Sequence, residues 1–301
     1  MKMRRLGKSD IHVSEIGFGT MSLSENIEEA RLVLEAGIEK GMNYVDTADL
    51  YQFGKNEEIV GEIIKGRREQ LVLASKGGNH WQEGGMIGFG ILLKHILKRR
   101  VKTSLRRLGT DYLDVYQLHG GTIDDPIDET IEAFQELKQE GFIRAFGISS
   151  IRPNVIKEYA DSGMTSVMMQ YNLLDRRPEE SMLDFLHQND IGVIVRGPVA
   201  KGMLTERSEV KTPKEGFLDY TKGEVQFAAD ALASMRHLGT PAQLAIRYVL
   251  HHPAVSTVTA GASSVEQVLE NVGTMDLPSL TDEEYEKLQR SSQAIVYEQH
   301  R

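Results

Sequence analysis

The sequence contains no cysteine among its 301 residues. This absence excludes a disulfide framework, a thiolate metal site and a cysteine nucleophile. It is compatible with a reducing compartment, and we expect the protein to be cytoplasmic. No apolar run approaches the roughly 20 residues of a membrane span, and the basic N-terminus lacks the apolar core of an export signal.

The charge balance is negative, with a formal net charge of −9 at pH 7. A negative protein repels polyanions, so we expect no nucleic-acid partner and no binding to an anionic membrane. Hydrophobic residues make up 40% of the chain, which is ordinary for a globular protein with a sizeable core. No shift in composition marks a boundary. We therefore expect residues 1–301 to form a single domain, present as a monomer or a small homo-oligomer.

Eight short apolar segments alternate with amphipathic ones along the chain. We predict strands at residues 15–19, 43–46, 71–75, 112–118, 143–149, 166–170, 192–196 and 255–259. The segments between them have apolar residues at helical spacing. Strand then helix, repeated eight times over about 250 residues, predicts a (β/α)8 barrel. The alternative, a doubly wound sheet, needs a Gly-x-Gly-x-x-Gly turn, and "GFGTMS" has only the first two glycines.

Other segments have local signals of their own. Residues 1–14 predict a hairpin that closes the bottom of the barrel. Residues 205–225 are polar and irregular and predict a long loop, of the kind that is usually functional or mobile. Thr281 and Glu284 have the spacing of a capping box and predict a C-terminal helix. Asn56 is predicted to be the N-cap of the helix that follows the second strand.

Four polar residues follow predicted strands at the end where barrels carry their functional sites. Asp46 is at the end of the second strand, Tyr51 lies in the next loop, and Lys76 and His119 come directly after the third and fourth strands. Each alone has an ordinary structural explanation. Together they are chemically coherent, because an ammonium stabilises a phenolate and a carboxylate holds the ammonium. The set predicts proton delivery to a carbonyl oxygen, with the hydride coming from a cofactor.

The sequence resembles the aldo-keto reductases along nearly its full length. The motifs "IGFGTM", "NYVDTADLYQFGKNEEIVG", "LVLASK", "SLRRLGTDYLDVYQLH" and "GASSVEQVLEN" occur in the order typical of that family. The resemblance implies a (β/α)8 barrel that reduces aldehydes and ketones to alcohols with NAD(P)H. It implies that Asp46, Tyr51, Lys76 and His119 are catalytic, with Tyr51 as the acid. Trp81, five residues after Lys76, is predicted to line the substrate pocket with Tyr51 and His119.

The resemblance also implies where the cofactor binds, and we expect NADPH to be preferred over NADH. The residues expected to contact it are Gly19, Thr20, Met21, Asp46, Ser149, Ser150, Gln170, Arg196, Gly197, Pro198, Ala200, Lys201, Gly202, Gly261, Ala262, Ser263, Gln267, Glu270 and Asn271. Three positions depart from the family pattern. Ser150 lies where the family usually has an asparagine. Arg196 lies where the family often has an aromatic residue that stacks on the nicotinamide, and Gln267 lies where many members have an arginine near the adenosine phosphate.

Two other functions stay open at this point. One is an NADPH-binding, redox-sensing regulatory subunit with slow turnover, since the potassium-channel β-subunits share this barrel. The other is an aldolase in which Lys76 forms a Schiff base. We predict no metal site, because His251 and His252 have no third ligand at a suitable spacing.

Overall fold

The computed structural model describes residues 2–82, 85–89 and 94–301. Their twelve strands, numbered in chain order, are β1 (Met3–Arg5), β2 (His12–Ser14), β3 (Ile16–Gly19), β4 (Tyr44–Asp46), β5 (Val72–Gly77), β6 (Asn79–Gln82), β7 (Gly85–Phe89), β8 (Leu113–His119), β9 (Ile143–Ser149), β10 (Ser166–Gln170), β11 (Gly192–Arg196) and β12 (Val255–Ala260). Eight of them form one closed parallel barrel, in the order β3, β4, β5, β8, β9, β10, β11, β12 and back to β3. The predicted (β/α)8 fold is confirmed.

Helices connect the barrel strands and cover the outside. Those described are α1 (Ile27–Glu39), α2 (Lys55–Ile64), α3 (Lys94–Leu108), α4 (Ile127–Gln139), α5 (Pro153–Tyr159), α6 (Met182–Gln188), α7 (Ser208–Lys211), α8 (Lys222–Ala233), α9 (Pro241–Leu250), α10 (Val265–Gly273) and α11 (Asp282–Gln289). In the described ranges, none is long and apolar enough to cross a bilayer. The C-terminal helix α11 starts with the predicted Thr281–Glu284 capping box.

The segment 205–225 is more regular than predicted. It contains α7 and leads into α8, which begins with a capping box between Thr221 and Glu224. That box has the same sequence spacing as the one at Thr281, so the sequence contains a local signal for the start of α8. A second hairpin follows β5, formed by the antiparallel strands β6 and β7.

The N-terminal hairpin closes the bottom of the barrel, as predicted. Leu6, Ile11 and Val13 are buried in one cluster with side chains from six barrel strands. Gly7, in the turn, has a φ of +54°, and an added Cβ would lie 2.1 Å from the carbonyl oxygen of Thr165. Only glycine fits so close an approach. With the bottom closed, the carboxyl ends of the strands form the accessible mouth.

Three pairs of neighbouring strands end in register at that mouth, and β5 extends three residues beyond its neighbour β4. Asp46 pairs with Gly19 and with Ala74, His119 with Ser149, and Gln170 with Arg196. Residues far apart in the sequence therefore meet on one face, which is where the candidate site lies.

Candidate active site

Lys76 is a fully buried cation at the end of β5. Its ammonium forms an ion pair with Asp46, at the end of β4. The same Nζ donates to the Thr47 carbonyl oxygen at 2.8 Å and to the Tyr51 phenol oxygen at 3.1 Å. An ammonium has three donors, so all three are satisfied by these neighbours. The lysine is thereby held in one orientation, facing the phenol.

The charges of this pair are set by burial and by mutual attraction. Burial alone would lower the pKa of Lys76, but Asp46 and Tyr51 outweigh it and raise that pKa above its ordinary value. Burial raises the pKa of Asp46, and the hydrogen bonds from Lys76 and Gln117 oppose that rise. Lys76 therefore stays an ammonium at neutral pH, directly beside the phenol.

Tyr51 begins a tight turn after β4. The next three residues, Gln52, Phe53 and Gly54, have φ values of 48°, 50° and 90°. Left-handed backbone is unfavourable for residues other than glycine and often marks functional sites. The turn places the Tyr51 ring with its centroid 4.6 Å from Lys76 Nζ and edge-on to His119, with ring centroids 6.1 Å apart.

His119 ends β8 on the other side of Tyr51. Its Nδ1 is buried and has no hydrogen-bond partner among the described residues. Burial, followed by the positive charges of Lys76 and Arg196, lowers the pKa of His119 to about 3. The imidazole is therefore neutral at physiological pH and has one N–H donor. It can donate that hydrogen bond to a carbonyl oxygen.

Two contacts fix the loop that carries Tyr51, and the sequence indicated neither. The backbone N–H of Asp49 donates to the carbonyl oxygen of Lys76 at 3.0 Å. The Asp49 carboxylate is buried and pairs with Arg100 of α3 at 2.9 Å. These contacts join the loop to β5 and to a helix about 50 residues further along. The Asp49 position lies within the "DTADLY" motif, but its partner has no local sequence signal.

Asn56 has a different role from the predicted one. Gly54 is the N-cap of α2, and Asn56 is buried inside the helix. Its Oδ1 accepts hydrogen bonds from Thr20 Oγ1 at 2.5 Å and from Thr47 Oγ1 at 2.8 Å. The N-cap prediction was wrong because the amide links the turn after β3 to the residue after Asp46. Gln117, which donates to Asp46 Oδ2 at 3.3 Å, was also missed.

The predicted cofactor residues all lie at this mouth or in the segments that follow it. Gly19 ends β3, and Thr20 and Met21 begin the next turn. Ser149, Gln170 and Arg196 end β9, β10 and β11, and Ser150 follows β9 directly. Residues 197–202 follow β11, and residues 261–263 follow β12. Gln267, Glu270 and Asn271 lie on α10. The barrel therefore brings one continuous arc of these positions together.

Their chemistry fits a nicotinamide dinucleotide. Hydroxyl and amide side chains end β9 and β10, as a carboxamide would require. Backbone N–H groups begin α10, where Ser264 is the N-cap, and helix N-termini favour phosphates. An added Cβ on Gly261 would lie 3.0 Å from Ser22 Oγ, so the backbone there is closely packed. The Gln267 amide oxygen accepts from Ser263 N and Oγ, at 2.8 and 3.2 Å.

Two of these residues have other partners. The Glu270 carboxylate accepts a hydrogen bond from Thr240 Oγ1 at 2.7 Å, so it braces α9 against α10. Asn271 is buried. The side chain of Trp81 lies outside the described part of the protein. Within residues 2–82, 85–89 and 94–301, no group of three or more His, Asp or Glu side chains is arranged to hold a metal ion.

Comparison with known proteins decides the family. The model of the "Aldo/keto reductase family" matches residues 15–293. The chain belongs to the aldo/keto reductase family. It is 48% identical over 306 residues to "Uncharacterized oxidoreductase YqkF" of Bacillus subtilis, covering 100% of both chains. It is 30% identical over 328 residues to the "NADH-specific methylglyoxal reductase" of Escherichia coli, covering 98% of this chain and 99% of that one.

Among solved structures, the chain is similar to "aldo-keto reductase AKR11C1 from Bacillus halodurans (holo form)". The TM-score is 0.94 at 51% identity, over 100% of this chain and 99% of that one. Membership in this family makes the protein an oxidoreductase whose relatives act on carbonyl compounds with a nicotinamide cofactor.

Proposed function

We propose that this protein reduces aldehydes or ketones to alcohols, with the hydride from NADPH and the proton from Tyr51. The observation that supports this most directly is the position of Tyr51. Its phenol oxygen lies 3.1 Å from a buried ammonium, and its ring is edge-on to a neutral histidine.

Each side chain then has one task. NADPH, when bound, supplies the hydride that reaches the carbonyl carbon. Tyr51 holds the proton that moves to the carbonyl oxygen, and Lys76 stabilises the phenolate left behind. Asp46 keeps Lys76 charged and oriented. His119 donates a hydrogen bond to the same carbonyl oxygen and polarises it, while remaining neutral itself.

The cofactor would lie along the arc of strand ends. Ser149, Ser150 and Gln170 would hold the carboxamide, and residues 196–202 the ring and the pyrophosphate. Residues 261–264, at the start of α10, would hold the adenosine end. Preference for NADPH over NADH rests on cations near the adenosine phosphate. The Gln267 amide adds only neutral donors, so the positive charge at this phosphate must come from other residues. Lys201 and Arg207, which are exposed on the segment after β11, are the candidates for that role.

The reaction is tested by following NADPH consumption with a panel of aldehydes and ketones. Small α-oxoaldehydes belong in the panel, because one relative is named for methylglyoxal. Tyr51→Phe removes the transferred proton and leaves the ring. We expect turnover to fall by roughly 10²–10⁴-fold, with the Kd for NADPH unchanged. Tyr112→Phe is the matched control, since Tyr112 contacts Arg68 and precedes β8, at the closed end.

Retention of more than about a tenth of turnover in Tyr51→Phe would contradict the assignment. The same assay tests the regulatory alternative, which requires slow turnover with every substrate. The aldolase alternative needs a neutral lysine amine. Here Asp46 and Tyr51 raise the pKa of Lys76, which opposes Schiff-base formation. Borohydride trapping of a substrate adduct on Lys76 would support the aldolase alternative.

A further inference from the structure

The side-chain amide of Gln170 is bonded at both of its ends. Its Nε2 donates to Asp175 Oδ2 at 2.8 Å, and its Oε1 accepts from Arg196 Nη1 at 2.8 Å. A carboxylate can only accept hydrogen bonds and a guanidinium can only donate them. The two partners therefore allow one orientation of the amide and exclude the flipped one.

Asp175 is itself rigidly held. It is fully buried, and both carboxylate oxygens accept from Arg177, through Nε and Nη2 at 2.7 Å each. Its backbone N–H donates to Asn172 Oδ1 at 2.9 Å, and its backbone forms a bridge with Asn172. The Arg177 guanidinium lies 5.3 Å from the ring centre of Tyr297, which is buried in the C-terminal tail. Asp175 thus cannot turn away from Gln170.

The fixed amide keeps part of its hydrogen-bonding capacity. A glutamine amide has two N–H donors and two acceptor lone pairs, and Asp175 and Arg196 use one of each. One donor and one acceptor remain, with defined directions. A primary carboxamide presents the complementary pair, a carbonyl oxygen and an N–H. A freely rotating glutamine would offer this pair in the wrong orientation half of the time.

We propose that Asp175 is a positioning residue for the nicotinamide end of the cofactor. It acts through Gln170, by holding the amide in the one orientation that matches a carboxamide. This rests on the proposed function, in which Gln170 contacts that carboxamide. Asp175 touches neither cofactor nor substrate, and its effect is confined to ligands that carry the nicotinamide.

The test compares two ligands that differ at that end. NADPH has the nicotinamide, and 2′-phospho-ADP-ribose lacks it. In Asp175→Asn we expect the Kd for NADPH to rise by about tenfold, equivalent to one well-placed hydrogen bond. The Kd for 2′-phospho-ADP-ribose should not change. Asp184→Asn is the control, because it makes the same chemical change at a carboxylate exposed on α6. It should alter neither constant.

A double-variant cycle separates positioning from general damage. If Asp175 acts through Gln170, Asp175→Asn should cost nothing further for NADPH in a Gln170→Ala background. Should Asp175→Asn not fold, Asp175→Glu keeps a carboxylate that can pair with Arg177 but moves it by one methylene group away from its present contact with Gln170. It should weaken NADPH binding and leave the Kd for 2′-phospho-ADP-ribose unchanged. Equal weakening of both ligands, additivity in the cycle, or unchanged NADPH binding would each overturn the role of Asp175. Those results leave the proposed reaction intact, whereas a wild-type protein that binds neither NADPH nor NADH refutes both.

Discussion

The low pKa of His119 has a consequence for stability that can be measured without any substrate. Burial and the charges of Lys76 and Arg196 lower this pKa from 6.5 to about 3. In the unfolded chain the imidazole regains its ordinary value of about 6.5. Between those two pH values the unfolded chain binds a proton that the folded protein does not. Folding stability from this residue is therefore complete above about pH 6.5 and is lost as the pH falls toward 3.

The size of the effect follows from proton linkage. Each pH unit inside the window costs about 1.4 kcal/mol per proton. Most of the interval from pH 7 to pH 5 lies inside it. We therefore expect His119 to remove about 2 kcal/mol of the free energy of unfolding between pH 7 and pH 5. The His119→Gln variant cannot take up this proton. Its free energy of unfolding should therefore fall by about 2 kcal/mol less than that of the wild type between pH 7 and pH 5.

The assay is urea denaturation of both proteins at pH 7, 6 and 5. Burial also lowers the pKa of His252, but His252 is present in both proteins and cancels in the difference. His237→Gln, at an exposed position, controls for the loss of an imidazole and should keep the wild-type pH dependence. The reasoning would be refuted if the free energies of unfolding of the wild type and of His119→Gln changed with pH in the same way. It would also be refuted if NMR showed that His119 in the folded protein titrates near pH 6.5.

Three further outcomes are expected. Lys76→Met should be inactive, and urea denaturation should show it to be about 3–5 kcal/mol less stable than the wild type, because the Asp46 carboxylate is left buried and unpaired. Adding Asp46→Asn to this variant should restore stability but not activity. Full activity in either variant would contradict the catalytic role of Lys76. In the wild type, the Arg196 cation should disfavour the positively charged ring of the oxidised cofactor. Arg196→Met should therefore lower the ratio of the NADP+ dissociation constant to the NADPH dissociation constant several-fold. An unchanged ratio would show that Arg196 does not lie near the nicotinamide ring. NADPH should bind about 10–100-fold more tightly than NADH, and Lys201→Met should narrow that gap; equal constants for the two cofactors in the wild type would count against this preference.

Local patterns were enough to predict the barrel. All eight predicted strands agree with the observed ones to within two residues at each end. Buried parallel strands are short apolar runs, and the glycines and caps that bound the helices are local too. The errors were also local. The start of α8 has a local signal in the Thr221–Glu224 capping box, and Asn56 precedes two acidic residues, which is the usual pattern of an N-cap, although the observed N-cap is Gly54.

The candidate site divides in the same way. Asp46, Tyr51, Lys76 and His119 could be named from their places after predicted strands, together with the family motifs around them. Their contacts could not. The pairing of Lys76 with Asp46, the link from Gln117 to Asp46, the tie between Asp49 and Arg100 and the neutral state of His119 exist only because the closed barrel brings separate strand ends together and removes water from them.

Gln170 shows the division most clearly. The sequence places a glutamine at the end of a strand, and nothing in the letters says which way its amide points. That direction is decided by Asp175 on one side and Arg196 on the other, a carboxylate that only accepts and a guanidinium that only donates. Sequence determines which groups are available at the mouth, because strand ends are set by local patterning. Orientation and charge depend on burial and on neighbours from distant segments, and only the tertiary structure supplies those.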